Sequence, residues 1–162
     1  MLELERTFLA KFLPSGLEKC KCKEIIDIYL PTNAHHPKLR IRKNGDKYEI
    51  TKKVPAEGGD LSQMCEETTT LTSEEFDELS STLIGKRVHK LRYYYPYGSL
   101  IAEVDVFQAQ LKGLVVIDFE FKSEEEKNAF QIPDFCLAEV TSEEFIAGGM
   151  LRDAVREKVW RY

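Results

Sequence analysis

Ionisable residues occupy alternate positions in several short strand-like runs of this chain, and their signs are sorted run by run. Glu3-Leu4-Glu5, Glu103-Val104-Asp105 and Asp118-Phe119-Glu120 are acidic. Arg40-Ile41-Arg42 and Lys90-Leu91-Arg92 are basic, and Lys53 closes a hairpin after the first of them. Residues i and i+2 of a strand share a face, so each run shows one charged and one apolar face. A sheet with one wet face explains charges that point to water. It does not require sorting by sign, and the opposite faces, with Val104, Val106, Val115, Ile117, Phe119 and Phe121, need cover. The pattern predicts a sheet that curls around its charged face and carries helices on its apolar face.

The rest of the chain supplies the parts. Residues 2–11, 22–30, 64–71, 88–95, 100–107 and 114–121 read as strands, and residues 38–53 as a hairpin turning at Asn44-Gly45, the favoured two-residue turn. That turn predicts Arg42 opposite Lys47 and Arg40 opposite Glu49, with Arg40, Arg42, Thr51 and Lys53 on one face. Thr72-Ser73-Glu74-Glu75 opens a helix that Gly85 ends, and Ser123 caps another. A helix is expected from Phe145 to about Trp160, and Ile132 to Phe135 as irregular chain. The expectation is an α+β fold: about eight antiparallel strands forming a barrel, helices packed outside, one domain over residues 1–162.

Net charge of −5 argues against non-specific nucleic-acid binding, which needs a basic surface. No run is long enough to span a membrane, and Met1 leads into strand-like sequence without a signal-peptide pattern. The four cysteines, Cys20, Cys22, Cys65 and Cys136, lack zinc-site spacing and read as free thiols in a reducing compartment, so a cytoplasmic protein is expected. Sheet edges would suit a homodimer. The paired carboxylates are hard oxygen donors suited to Mg²⁺ or Mn²⁺. Converging Arg and Lys neutralise phosphate oxygens, Arg in a bidentate fork. The charged interior is therefore read as a site for a metal ion and a polyphosphate-bearing small molecule.

In order and parity these runs resemble the CYTH proteins, also called triphosphate tunnel metalloenzymes. Glu3-Leu4-Glu5-Arg6-Thr7 is similar to that family's E-x-E-x-K strand, and the basic hairpin, Lys53, Glu66, Lys90-Leu91-Arg92-Tyr93, Glu103-Val104-Asp105 and Asp118-Phe119-Glu120 follow in family order. The resemblance implies an eight-stranded antiparallel barrel with a tunnel, in which Arg40, Arg42, Lys53, Lys90 and Arg92 contact a triphosphate. It implies an acidic wall of Glu3, Glu5, Glu66, Glu103, Asp105, Asp118 and Glu120 holding Mg²⁺ or Mn²⁺, with Glu3, Glu5 and Glu120 foremost. Glu5, Lys90 and Arg92 are the implied catalytic residues. The implied activity is metal-dependent hydrolysis of inorganic tripolyphosphate or of a nucleoside or thiamine triphosphate. A class IV-type adenylyl cyclase stays open. So does a binding module weakened in catalysis, because Thr7 stands where the motif has lysine. Loops around Asn33–Pro37 and Val54–Asp60 are expected to read what the triphosphate carries.

Overall fold

The computed structural model describes residues 4–32, 34, 37–55, 64–83 and 86–142, with backbone alone at 53–55, 64 and 65. Among these residues it places nine strands. They are β1 (Leu4–Ala10), β2 (Lys21–Leu30), β3 (Leu39–Asn44), β4 (Lys47–Pro55), β5 (Met64–Leu71), β6 (Lys86–Tyr97), β7 (Leu100–Phe107), β8 (Val115–Phe121) and β9 (Cys136–Glu139). Helices α1 (Ser73–Thr82) and α2 (Glu124–Ala129) complete them. Hydrogen bonding orders the sheet β5-β4-β3-β2-β6-β7-β8-β1-β9. The antiparallel α+β expectation holds, with one strand more than the eight read from sequence. That strand, β9, pairs with β1 through a register shift between Leu9 and Ala10. The C-terminal helix expected from Phe145 to Trp160 lies outside the described residues.

The described residues divide into two compact units, one built from residues 4–23 and 90–142, the other from residues between Glu24 and His89. In the first, β6, β7, β8, β1 and β9 are neighbours. Their alternation of β-branched or aromatic with charged residues suits a pleat buried on one side. Phe8, Ala102, Val104, Ile117 and Phe119 are fully buried there, and Phe121 and Phe135 join them. Phe130, just past α2, caps this layer, its ring centre 4.6 Å from that of Phe119 and 5.2 Å from that of Phe121. Each large apolar side chain so buried contributes about 1.5–3 kcal/mol. Arg6 also lies on this apolar face, opposite Phe119. It lies over the Phe8 and Phe130 rings and donates a fork to Glu139, at 2.9 and 2.6 Å.

In the second unit, β2, β3, β4 and β5 are neighbours, and α1 covers their apolar face through Phe76, against Ile28, Ile41 and Tyr48. Thr72 and Glu75 close the expected capping box: Thr72 Oγ1 accepts from the Glu75 amide at 3.1 Å, and Glu75 accepts from the Thr72 amide at 2.8 Å. The β3–β4 hairpin departs from expectation. Asn44 pairs with Lys47, Arg42 with Glu49 and Arg40 with Thr51. The turn residues are therefore Gly45 and Asp46, and Gly45 takes φ +62°. A positive φ at the first central position is the type II′ solution, which needs glycine there and leaves Asn44 in the strand. Pairing moves by one residue on each strand, so parity survives and Arg40, Arg42, Thr51 and Lys53 still share a face.

Candidate functional site

The charged face of the first unit follows from register. Glu5 stands opposite Glu120 and Thr7 opposite Asp118 across β1 and β8. Asp118 stands opposite Glu103 across β8 and β7, and Asp105 opposite Arg92 across β7 and β6. Lys90 lies two residues before Arg92 on the same face. Among the described residues, five carboxylates thus share this face with two cations.

Arg92 is the hub. Its Nε and Nη2 donate to the two oxygens of Asp105 at 2.7 and 2.8 Å, Nη1 pairs with Glu103, and Nη2 lies 3.8 Å from Asp118. Asp105 is 1% exposed and also accepts from Lys90 Nζ. Burial pushes the Asp105 carboxyl upward, yet hydrogen bonds and charge from Arg92 and Lys90 prevail and hold it below the usual aspartate range. Burial works against the Arg92 charge too, but Asp105, Glu103 and Asp118 outweigh it, so the guanidinium keeps its proton more firmly than usual. Glu103 and Asp118 go the other way. Burial raises both, and neighbouring carboxylates add to the rise against the pull of Arg92 on Glu103 and of the Thr7 hydroxyl on Asp118. Thr7 Oγ1 donates to Asp118 Oδ1 at 2.7 Å, a neutral bond where a lysine would bring a charge.

In the second unit the same strand face carries Asp27 and Tyr29 on β2, Arg40 and Arg42 on β3, Thr51 and Lys53 on β4, and Glu66 on β5 opposite Lys53. Arg42 Nε and Nη2 donate to the two oxygens of Asp27 at 2.6 and 2.7 Å. Burial first, and the Asp27 charge second, push the Tyr29 phenol well above its ordinary value, and it donates to Asp27 at 3.4 Å. Arg40 Nε is buried with no hydrogen-bond partner among the described residues. A buried unsatisfied guanidinium donor suits an incoming anion, since leaving it bare is costly.

Register therefore puts Glu5, Lys90, Arg92, Glu103, Asp105, Asp118 and Glu120 on one face of the first unit, and Arg40, Arg42, Lys53 and Glu66 on one face of the second. Glu3 lies outside the described residues, as do Asn33, His35, His36 and residues 56–63 of the two expected reading loops. The acidic set is of the hard-oxygen type that suits Mg²⁺ or Mn²⁺, and a cation there would relieve the repulsion that raises Glu103 and Asp118. Among the described residues no three His, Cys, Asp or Glu side chains gather into a finished metal site. The fit is one of donor type and charge.

Two residues escaped the sequence reading. Asp27, 1% exposed, is a single acid inside Ile25-Ile26-Asp27-Ile28-Tyr29, and its parity with Tyr29 was the available signal. Lys86, 5% exposed, continues the Lys90 and Arg92 parity toward the start of β6, and its Nζ donates to the Ala34 carbonyl at 3.3 Å.

Residues 1–138 match the CYTH domain. The chain is 35% identical over 145 residues to an inorganic triphosphatase of Nitrosomonas europaea, covering 88% of this chain and 91% of that one. It superposes on the crystal structure of the inorganic triphosphatase NE1496 with a TM-score of 0.72 at 27% identity, covering 93% of this chain and 94% of the other. A second crystal structure of NE1496 gives 0.71 at 30% identity, with 93% and 97% covered. Strand order, charge-sorted faces and these likenesses agree: the chain belongs to the CYTH domain family.

Proposed function

We propose that this chain hydrolyses a phosphoanhydride bond of inorganic triphosphate, with the charged sheet faces binding the substrate. The observation that carries the reading is its 35% identity to an inorganic triphosphatase over 88% of its length. The charge arrangement supports it and assigns the work. Arg40, Arg42 and Lys53 on one unit, and Lys90 and Arg92 on the other, are the proposed phosphate contacts. Arg40 brings a buried donor that an oxyanion would satisfy. Arg92 and Lys90 stabilise charge that builds on the phosphoryl oxygens and on the leaving pyrophosphate, the dominant demand of phosphoryl transfer. Their present partners are carboxylates of the same face, so phosphate oxygens replace one set of anions by another without stripping either cation bare.

Glu5, exposed on β1, is the proposed group that orients the attacking water by accepting its hydrogen bond. Glu3, Glu5, Glu66, Glu103, Asp118 and Glu120 are the proposed metal-holding acids. Asp105 belongs to the same wall, with both oxygens now engaged by Arg92 and Lys90. A divalent Mg²⁺ or Mn²⁺ held there would supply Lewis-acid charge at the phosphoryl oxygens.

The test is phosphate release from inorganic tripolyphosphate, ATP and thiamine triphosphate, each with Mg²⁺, Mn²⁺ or EDTA. Fastest release from tripolyphosphate, abolished by EDTA, is the expected result. Cyclic AMP formed from ATP would make the chain a cyclase. Tripolyphosphate binding without turnover under either metal would make it a binding module.

A further inference from the structure

The two arginines at the centre of the charged faces are held alike. In each case a buried aspartate on the adjacent strand, directly opposite in register, takes the Nε–Nη2 edge of the guanidinium: Asp27 for Arg42 and Asp105 for Arg92. A side-on fork of this kind fixes both the plane of the guanidinium and the direction in which its Nη1 points. Asp27 is 1% exposed, so the clamp is screened from water, and Tyr29 adds a second donor to the oxygen that holds Nη2. Burying a carboxylate costs several kcal/mol unless it is paired and hydrogen-bonded. An acid with only apolar isoleucines as chain neighbours on either side has no packing reason to be there.

We propose that Asp27 is a positioning residue for the triphosphatase reaction, orienting Arg42 toward phosphate through the Nε–Nη2 clamp. The inference rests on the reading of Arg42 as a phosphate contact. A preset guanidinium meets phosphate without first losing side-chain freedom, which is how positioning becomes affinity and rate. Asp27→Asn keeps size and one acceptor but replaces the oxygen facing Nη2 with an amide donor, so the fork opens.

The test compares Asp27→Asn, Arg42→Ala and the double variant, by steady-state hydrolysis of tripolyphosphate and by calorimetric binding of tripolyphosphate in EDTA. Asp27→Asn is expected to lower kcat/KM and weaken metal-free binding by about 10- to 100-fold, and to add no further loss in the Arg42→Ala background. A merely structural aspartate would lower melting temperature while leaving the binding constant of the folded fraction unchanged, and that result overturns the proposal. Loss in Arg42→Ala with full binding in Asp27→Asn overturns the proposal alone. Full activity in Arg42→Ala overturns the reading of Arg42 and the proposal with it. Should Asp27→Asn not fold, the wild type still decides. Its arginine Nε–H resonances should contain one exchange-protected signal that disappears in Arg42→Lys, and absence of that signal overturns the clamp.

Discussion

The clamps of Arg42 and Arg92 share one geometry and differ in electrical company. Arg92 is shared among Asp105, Glu103 and Asp118, with Lys90 also committed to Asp105. Arg42 is forked by the buried carboxylate Asp27 and stands opposite Glu49 in register, beside Arg40, whose Nε has no partner among the described residues. The first region is acid-rich, with its cations already bound up; in the second, among the described residues, Asp27, Glu49 and Glu66 balance Arg40, Arg42 and Lys53. One sheet pattern thus builds an acid-rich face and a charge-balanced face, and the difference is set by how many carboxylates accompany the cations rather than by the fork itself.

The largest expected effect tests that difference. Arg92→Ala removes the cation shared by Asp105, Glu103 and Asp118 and leaves the buried Asp105 to Lys90. A loss of about 3–5 kcal/mol in urea unfolding is expected, together with loss of tripolyphosphate turnover. Arg42→Ala takes the fork from Asp27, which keeps the Tyr29 hydroxyl, and is expected to cost less stability in the same assay because Arg92 serves three carboxylates at once. Equal or reversed costs would mean that the added carboxylates around Arg92 contribute nothing.

Next comes Thr7. Its hydroxyl gives Asp118 a neutral bond, so the acid-rich face keeps a charge that a lysine would cancel. Thr7→Lys is expected to tighten metal-free tripolyphosphate binding by about 1.5–3 kcal/mol, the range of one charge-assisted hydrogen bond. Calorimetry in EDTA reads it directly. Unchanged affinity would place position 7 outside the phosphate path and make the acid-rich character of this face incidental to binding.

These contrasts show what could be read from the chain and what could not. Alternating dyads revealed both charged faces, because parity survives an error in register. The hairpin demonstrates this: Asn44-Gly45 is the strongest short turn signal, yet the turn sits at Gly45-Asp46, and Arg42 rather than Arg40 meets Glu49. Both registers keep Arg40 and Arg42 on one side. The expected helix caps at Thr72 and Ser123 were legible because each is a local hydrogen bond that a side-chain hydroxyl oxygen accepts from the amide three residues on. Asp27 was not, since one acid among isoleucines forms no dyad, and its meaning appears only when β3 brings Arg42 opposite. β9 was missed because Cys136–Glu139 is short and lacks alternation; its partner β1, over a hundred residues earlier, is what makes it a strand.

A smaller effect separates the acids of the crowded face by pH. Glu103 and Asp118 are raised above their unfolded values of 4.5 and 3.8, first by burial and then by neighbouring carboxylates. The folded state therefore binds protons more readily than the unfolded chain, and each group costs stability as pH rises through its folded pKa, a cost complete above that pKa and absent below the unfolded one. Asp105 is lowered, so its contribution is present above 3.8 and lost as pH falls through its folded pKa. Asp118→Asn and Glu103→Gln are expected to stabilise the metal-free protein at neutral pH, with the gain fading in acid. Asp105→Asn should destabilise at neutral pH and converge on wild type in acid. Parallel urea titrations at several pH values check the signs, and a gain from Asp105→Asn at neutral pH would undo the distinction between clamp and wall.

The smallest effect supplies the scale for the others. Lys43 follows Arg42 on β3 and reaches Glu24 at 2.8 Å, a separation close to the 2.6 and 2.7 Å of the Arg42–Asp27 fork. Distance alone would give the two pairs similar weight. Exposure does not: the Glu24 side chain is 39% exposed and Lys43 29%, against 2% for Asp27. Water screens the outer pair, and holding two flexible chains together costs entropy that cancels most of the attraction. Lys43→Ala should therefore cost no more than about 0.5 kcal/mol in urea unfolding, and raising salt should erase even that as the screening length shortens. A cost near that of Arg42→Ala would mean that separation, not burial, governs ion pairs in this unit, and the clamp would lose its claim to be a special device.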